Sequence, residues 1–591
     1  MKRNYIGLSC SGHDNALAIV DSAGTVRFAE SAERYLQNKR ALDAPPDDMF
    51  RIRAIVDEYV EPDAEIVPCK SWSDGAASVR ERYRARAQSA LARLHAQPIA
   101  GDSARAAKLH AFLIERERAL LHMLELWSHA DATAGRSLSY HFAARVRDLR
   151  RYEHHRTHAA AACFTSPFAD AICVVVDGIG EGGTVSCYDY RDGALSPLPA
   201  LAPGAADPLA GLGLFYTDLC TLCGFEHWSG DEWKVMGLAG YGVPDARVRK
   251  NLEGCLQLRG LGFERPPSEP AAIARLWQAD GSTVRATIAH EGQRLFETLL
   301  IALCQHAFEV GRSTNLVLTG GCALNSSANG KLLEATRFER LSVPCAPADD
   351  GNAVGAALLA YYEDHPAERP RPGFQTPYLG SAIARSTLER AASSRALPHV
   401  RRSNSAELCR EVALRLSVGE IVGWVQGRAE FGPRALGHRS ILADPRDPAM
   451  KDRINAVVKL REGFRPFAPA VLAEHAATYF ENYQPSPYME RALRFRPEVR
   501  ARVPAVVHVD GTGRLQTVTR RDNPLFHALL TAFDDVTGVP MLLNTSFNVM
   551  GKPIVHSVED ALAVFTTSAL DALVIDDYLF AKGELAAGRS R

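Results

Sequence analysis

A chain of 591 residues exceeds what one hydrophobic core supports, so at least two domains are expected. Its 46% hydrophobic and 23% charged residues are ordinary for a globular protein, and 68 Lys and Arg against 69 Asp and Glu leave a formal net charge of −1. That balance removes the basic excess by which a protein holds nucleic acid through its phosphates, so no DNA or tRNA partner is expected and any cationic cluster serves a small local site. The opening MKRNYIGLSCSGHDN has only a short apolar run, and no later segment reaches the ~20 apolar residues of a membrane span, so a cytoplasmic protein without a membrane partner is expected. Twelve cysteines lie mostly in apolar runs, as Cys163, Cys173 and Cys304 do, which suits buried reduced thiols better than a disulfide framework.

In chain order, YIGLSC, ALAIVD and TVRFAE read as three short strands, with His13 and Asp14 in the turn between the first two. A histidine there suits a general base, and equally a residue that caps its own turn. Residues 76 to 127 are rich in Ala, Arg, Leu and Glu, broken at Pro98-Ile99-Ala100-Gly101, and predict a helical hairpin whose Arg80, Arg82, Arg84 and Arg86 lie on solvated faces. In Glu153-His154-His155-Arg156-Thr157-His158 the four-residue spacing puts His154 and His158 on one helix face, where both imidazoles can meet one ion, while His155 points elsewhere. Histidines that are merely hydrogen-bonded show the same spacing.

The run AICVVVD, a glycine-rich turn from Gly178 to Gly183 and TVSCYDY repeat the opening pattern, which suggests a duplicated fold. Asp177 ends that strand and Asp349 precedes a glycine in APADDGNAVGAAL; both offer hard oxygen ligands or cap turns. Gly178 and Gly180 supply backbone N–H groups to a phosphate. In NLVLTGGCALN a strand runs into Gly320-Gly321 and a helix, where backbone approaches an adenosine and Asn325 can hydrogen-bond it. Cys220 and Cys223 form a single CxxC, which reads as two core residues on one helix.

From Glu363 to Gly380 proline, arginine and glycine replace apolar residues, which places a domain boundary near 372. After LCREVALRLSVGEIVGWVQG, read as helix, turn and strand, come four islands: Arg434 and Arg439 in EFGPRALGHRS, Lys459, Arg461 and Arg465 in KLREGFRPFAP, Arg514 in DGTGRLQTV, and Asn544, Thr545 and Ser546 in LLNTSFN. Gly432 and Gly437 allow close approach to a ligand, and guanidinium forks match phosphate oxygens in pairs.

The islands EFGPRALGHRS, KLREGFRPFAP and LLNTSFN, together with Gly12-His13-Asp14, resemble the ATP-dependent O-carbamoyltransferases that tailor antibiotics and nodulation signals, over nearly the whole chain. An insertion near residues 70 to 145 is the main departure. The resemblance implies an α/β fold: a duplicated domain of the actin, Hsp70 and sugar-kinase type over 1–372, followed by an α/β YrdC-like domain over 373–591. It implies that His154, His158, Asp177 and Asp349 bind one divalent metal; nitrogen and oxygen ligands fit Fe(II), Mn(II) or Zn(II), and the family suggests iron. It implies roles near the intermediate for His13 and Lys39, and near the acceptor for Asp14, Asp231 and Glu232. Arg434, Arg439, Lys459, Arg465, Arg514, Asn544 and Ser546 would bind carbamoyl phosphate and ATP with its Mg. The expected reaction makes carbamoyl-adenylate and passes the carbamoyl group to a hydroxyl of a small molecule. A small-molecule kinase or ATPase on the duplicated fold, and a tRNA threonylcarbamoylation-like enzyme, are the rival readings.

Overall fold

A computed structural model describes residues 2–96, 104–199, 207–277, 282–394 and 400–583, so the Pro98–Gly101 break lies outside the described residues. The chain forms two compact units: Met1–Glu33, Arg40–Leu324 and Leu332–Gln375 make the first, and Arg34–Lys39, Asn325–Lys331 and Thr376–Arg591 the second. Lys39 and Asn325 therefore group with the second unit.

Among the described residues, the first unit holds β1 (Arg3–Ser9), β2 (Ala16–Val20), β3 (Val26–Ser31), β4 (Glu65–Lys70) and β5 (Arg150–Arg151) in one sheet, ordered β3-β2-β1-β4-β5. A second sheet takes β6 (Asp170–Val176), β7 (Val185–Arg191) and β8 (Ala194–Pro197) and then, past a hairpin of β9 (Gln257–Arg259) and β10 (Gly262–Glu264), β11 (Asn315–Thr319) and β12 (Arg340–Ser342). Its order is β12-β11-β6-β7-β8. In each sheet the first strand pairs antiparallel with the second and parallel with the fourth, so one topology occurs twice, as the repeated strand-turn-strand openings suggested. Both first strands are buried nearly throughout because both of their faces are covered.

The helix Asn352–Asp364 packs on β1 and β2, the helix His154–Phe164 on β6 and β11, and the two helices pack on each other. Their small residues allow this: a Cβ on Gly7 would lie 1.7 Å from Ala353 O, and one on Gly355 1.9 Å from Thr157 O. Backbone meets backbone at both places, which seats Asn352–Asp364 directly on β1 and directly against His154–Phe164.

The helices Ala76–Ala96 and Ala104–Thr133 pack together between β4 and β5 in the chain, and their Val79, Tyr83, Leu124 and Trp127 join Ile6, Leu8 and Ile66 in one apolar cluster. One expectation fails here: Arg80 is buried, not on a solvated face, because Asp131 accepts from both of its Nη atoms at 3.3 and 3.4 Å. Arg82 and Arg86 are exposed.

The second unit is built on β13 (Val400–Arg402), β14 (Val422–Val425), β15 (Arg439–Ala443), β16 (Ala468–Leu472), β17 (Arg491–Arg494), β18 (Thr512–Val518), β19 (Met541–Ser546), β20 (Ala572–Ile575) and β21 (Tyr578–Ala581). Among the described residues they form one mixed sheet, ordered β13-β21-β20-β14-β15-β19-β16-β18-β17. The helices Ser405–Ser417 and Pro524–Thr537 cover it, with Trp424, Phe526 and Leu542 in its core. No disulfide links any of the twelve cysteines, eleven of which are buried. Among the described residues no helix is long and apolar enough to cross a membrane.

Candidate functional site

The helix His154–Phe164 starts under close control. Glu153 caps it by accepting from the backbone N–H groups of His155 and Arg156 at 3.1 and 2.7 Å, and Glu181 accepts from His154 N at 3.2 Å. One turn apart, His154 and His158 present both Nε2 atoms to the same point, and Asp177 from the end of β6 and Asp349 from the turn before Asn352–Asp364 meet them there. His154 Nε2 lies 3.3 Å from Asp177 Oδ2 and 3.5 Å from Asp349 Oδ1; His158 Nε2 lies 3.8 and 3.2 Å from the same atoms. One ligand atom from each residue falls within 4.8 Å of all the others, and all four residues are buried, so the set could hold a metal ion.

The surroundings orient these ligands. His154 Nδ1 is 3.3 Å from Ser71 O, which makes Nε2 the bare nitrogen when the ring is neutral, and Gly321 N donates to Asp177 Oδ1 at 2.9 Å, which turns Oδ2 inward. Burial opposes a charge on His154, yet the Asp349 and Asp177 carboxylates raise its pKa to about 10. Asp177 is lowered to about 2: burial and Asp349 push it up, and His154 and His158 outweigh them. His155 stands apart, bonded through Nδ1 to Ser186 Oγ at 2.8 Å, with its pKa lowered to about 3 by burial and by His154.

His13 and Asp14 lie on a loop whose backbone is held out of the ordinary regions: Asp14, Arg40, Ala41 and Asp43 all have φ between 40° and 61°. Asp14 N donates to Arg40 O at 3.0 Å and Asp43 N to Gly12 O at 2.9 Å, so two strained loops hold each other. His13 Nδ1 is 2.9 Å from Asp14 Oδ2, and Arg40 Nη2 is 3.7 Å from that oxygen. Burial raises Asp14, but Arg40 and His13 hold it below the usual carboxylate range; burial raises Glu232, which Arg40 partly offsets. Asp231 is buried and accepts from Lys234 Nζ at 2.8 Å.

Gly320 has φ 87° and donates its N–H to Pro347 O, and a Cβ there would lie 2.3 Å from Val176 O. With Gly321 N on Asp177, both N–H groups of this pair are hydrogen-bonded within the protein. Gly180 N donates to Gly183 O at 2.7 Å and a Cβ on it would strike the His155 ring, whereas Gly178 has open space on that side. Asn325 Oδ1 accepts from Ala328 N at 3.1 Å, as a helix cap does.

In the second unit, Arg434 sits on the loop between β14 and β15. Glu430 is buried inside that loop, and its Oε1 accepts from Leu436, His438 and Arg439 N at 2.7, 2.8 and 3.0 Å. From below, Asn544 Nδ2 donates to Ala435 O at 3.2 Å and to Gln516 Oε1 at 2.7 Å, while Gln516 Nε2 donates to Leu436 O at 2.9 Å. Lys459 ends a π-helical turn and is buried, donating to Ser546 O, to Ser546 Oγ at 3.1 Å and to Asn548 Oδ1 at 2.6 Å.

The cations here depress one another. Burial and then Arg514 pull Arg434 well down; burial and then Arg461 and Arg465 do the same to Lys459. Arg461 falls to about 9 through burial, Arg465 and Arg514, and Arg514 falls to about 10 through burial. Arg461 Nη2 and Arg514 Nε are buried without a hydrogen-bond partner. A polyanion fits such a cluster, because it relieves the repulsion and takes up the orphaned donors. Arg439 is not part of it. Fully buried at the start of β15, it directs its guanidinium to the carbonyls of Gln426, Gly427 and His438 at 2.7, 3.0 and 3.0 Å, so it braces the loop and does not face the anion site the sequence suggested for it.

Two family models match this chain, Carbamoyltransferase N-terminus over residues 4–358 and Carbamoyltransferase C-terminus over residues 413–582. The chain belongs to the carbamoyltransferase family. It is 38% identical over 449 residues to the nodulation protein NolO of Bradyrhizobium diazoefficiens, a match covering 73% of this chain and 78% of that protein. It is 39% identical over 456 residues to the nodulation protein NolNO of Sinorhizobium fredii, covering 73% of this chain and 63% of that one. Among solved structures, full-length HypF in its phosphate- and nucleotide-bound form matches at TM-score 0.32 and 12% identity, over 61% of this chain and 55% of that chain.

Sequence reasoning missed several residues that shape the sites of this carbamoyltransferase. Arg40, beside Asp14 and Glu232, adjoins the Lys39 that resemblance had singled out. Gln516 and Asn548 hold the second-unit loop and Lys459; their neighbours in the LQTV and SFN islands were the available signal. Trp72 lies flat on His154, with ring centroids 3.8 Å apart and planes 12° apart, in a segment the sequence marked only as the edge of an insertion.

Proposed function

We propose that this carbamoyltransferase makes carbamoyl-adenylate from carbamoyl phosphate and ATP in its second unit and transfers the carbamoyl group to a hydroxyl of a small-molecule acceptor in its first. The observation that carries the reading is the concentration of like charge at Arg434, Lys459, Arg461, Arg465 and Arg514, which the phosphates of the two substrates neutralise. Water releases phosphate from carbamoyl phosphate, the resulting carbamate oxygen attacks the α-phosphorus of ATP, and pyrophosphate leaves with Mg. Arg434 and Arg514 stabilise the charge that develops on the α-phosphate.

For the transfer, His154, His158, Asp177 and Asp349 would hold a divalent metal, for which Fe(II), Mn(II) and Zn(II) suit the donor set and Fe(II) is the choice the family implies. When bound, it supplies positive charge for the phosphate of the adenylate and so eases departure of AMP. With Nδ1 hydrogen-bonded to Asp14, His13 offers Nε2 to the acceptor hydroxyl, takes its proton as oxygen attacks the carbamoyl carbon, and AMP leaves. Asp231 and Glu232 line the acceptor. Incubation with carbamoyl phosphate, ATP, Mg and metal tests the reading: AMP, pyrophosphate and phosphate are expected, and ADP as the nucleotide product favours a kinase and overturns it.

His13→Asn is expected to leave pyrophosphate release and metal content intact while cutting acceptor carbamoylation by about a hundredfold or more, with the adenylate lost to hydrolysis. Carbamoylation within a few-fold of wild type assigns the base elsewhere.

Metal uptake should also release a proton. Without metal, His154 holds a proton up to its raised pKa of about 10, and a bound ion requires its neutral form. Between pH 7 and that value, each unit of lower pH should weaken metal binding by about tenfold, and calorimetry in buffers of different ionisation enthalpy should show the proton released. Binding independent of pH over that range shows that His154 is already neutral before metal arrives.

A further inference from the structure

The helical insertion touches the metal cluster through two tryptophans. Trp72 follows β4 and is 2% exposed; its ring stacks on His154 at 3.8 Å and meets Trp127 of the helix Ala104–Thr133 at 3.9 Å, tilted by 37°. The residue before it, Ser71, supplies the carbonyl to His154 Nδ1. One dipeptide therefore fixes the imidazole in its plane by a hydrogen bond and across its face by a stacked ring, which removes both ways in which the ring could turn.

Trp127 is in turn held. The Arg80 guanidinium lies 4.8 Å above its ring and bonds Asp131, one turn further along the same helix. Asp131 also accepts from Arg151 Nη1 at 2.9 Å through Oδ1, and its carbonyl accepts from Lys70 Nζ at the end of β4. Both helices of the insertion and both strands that flank it thus converge on the support of Trp72. The same helix lies against the turn that carries His13, since a Cβ on Gly12 would fall 2.6 Å from the backbone of Leu126.

We propose that Trp72, backed by Trp127, is a positioning residue for the metal ligand His154, and that the insertion serves to seat that ligand. The inference rests on the reading of the four buried residues as metal ligands. Its test is titration of the full-length, metal-stripped protein with Co(II), followed by visible absorption, which reports ligand geometry, and by tryptophan fluorescence. Trp72→Leu keeps apolar volume and loses the flat face; it is expected to raise the Co(II) dissociation constant by about ten- to a hundredfold and to change the absorption band. Trp72→Phe restores a stacking face and is expected to bind within about threefold of wild type. Leu124→Ala, which empties space in the same apolar cluster and removes no ring, controls for lost packing and should leave the constant within about threefold of wild type. Trp72→Leu binding like wild type, or Leu124→Ala weakening binding as much, overturns the inference while the metal reading stands. A wild-type chain that takes up no Co(II) overturns the metal reading, and this inference with it.

Discussion

Arg434→Ala is expected to slow pyrophosphate release from ATP and carbamoyl phosphate by about a hundred- to a thousandfold, the usual cost of removing one donor aimed at developing charge in a dry site. Arg434 reaches its position because Glu430, Asn544 and Gln516 tie the loop around it from three sides, so the alanine variant keeps the loop and loses only the fork. Metal content and the fold of the first unit should be untouched. Arg434→Lys separates charge from geometry: a lysine restores the charge without the paired donors, and should recover a small part of the rate. Pyrophosphate release at the wild-type rate in Arg434→Ala removes Arg434 from the first stage.

The second large effect is expected from His154→Ala with His158→Ala. Losing both nitrogen ligands leaves Asp177 and Asp349 as two close carboxylates, each of which is held charged by those histidines. Bound metal should fall to background by elemental analysis, and acceptor carbamoylation by about three orders of magnitude, while pyrophosphate release continues, because the two stages use different residues. Circular dichroism establishes that the chain still folds. Full metal occupancy in the double variant shows that the histidines are structural.

How much of this was legible depended on the distance between cooperating residues along the chain. His154 and His158 are one turn apart, so their partnership follows from helical period alone. Asp177 and Asp349 stand far from each other and from the histidines in sequence; only the topology brings the end of β6 and the start of Asn352–Asp364 together, and resemblance rather than spacing had suggested the set. The duplicated topology was visible because YIGLSC and AICVVVD both open a strand-turn-strand pattern through a glycine turn. Charge misled twice, and for one reason. Arg80 and Arg439 look like solvent or ligand cations in a string of letters, but each is buried against acceptors, Asp131 for one and backbone carbonyls for the other, that no local pattern announces. Arg40 escaped notice because only the fold brings its charge beside Asp14 and Glu232.

The contact of Gly7 with Ala353 and of Gly355 with Thr157 bears on how this protein can change over generations. Where the main chains of Gly355 and Thr157 touch, the interval between the helix that carries His158 and the helix that follows Asp349 is set by van der Waals contact of backbone atoms, with no layer of side chains to swell or shrink, and Gly7 seats the second helix on β1 in the same way. Substitutions elsewhere in the first unit can enlarge or trim its interior and leave that interval as it is. The interior of the first unit is therefore free to drift while the approach of the helices beside His158 and Asp349 stays anchored at Gly355.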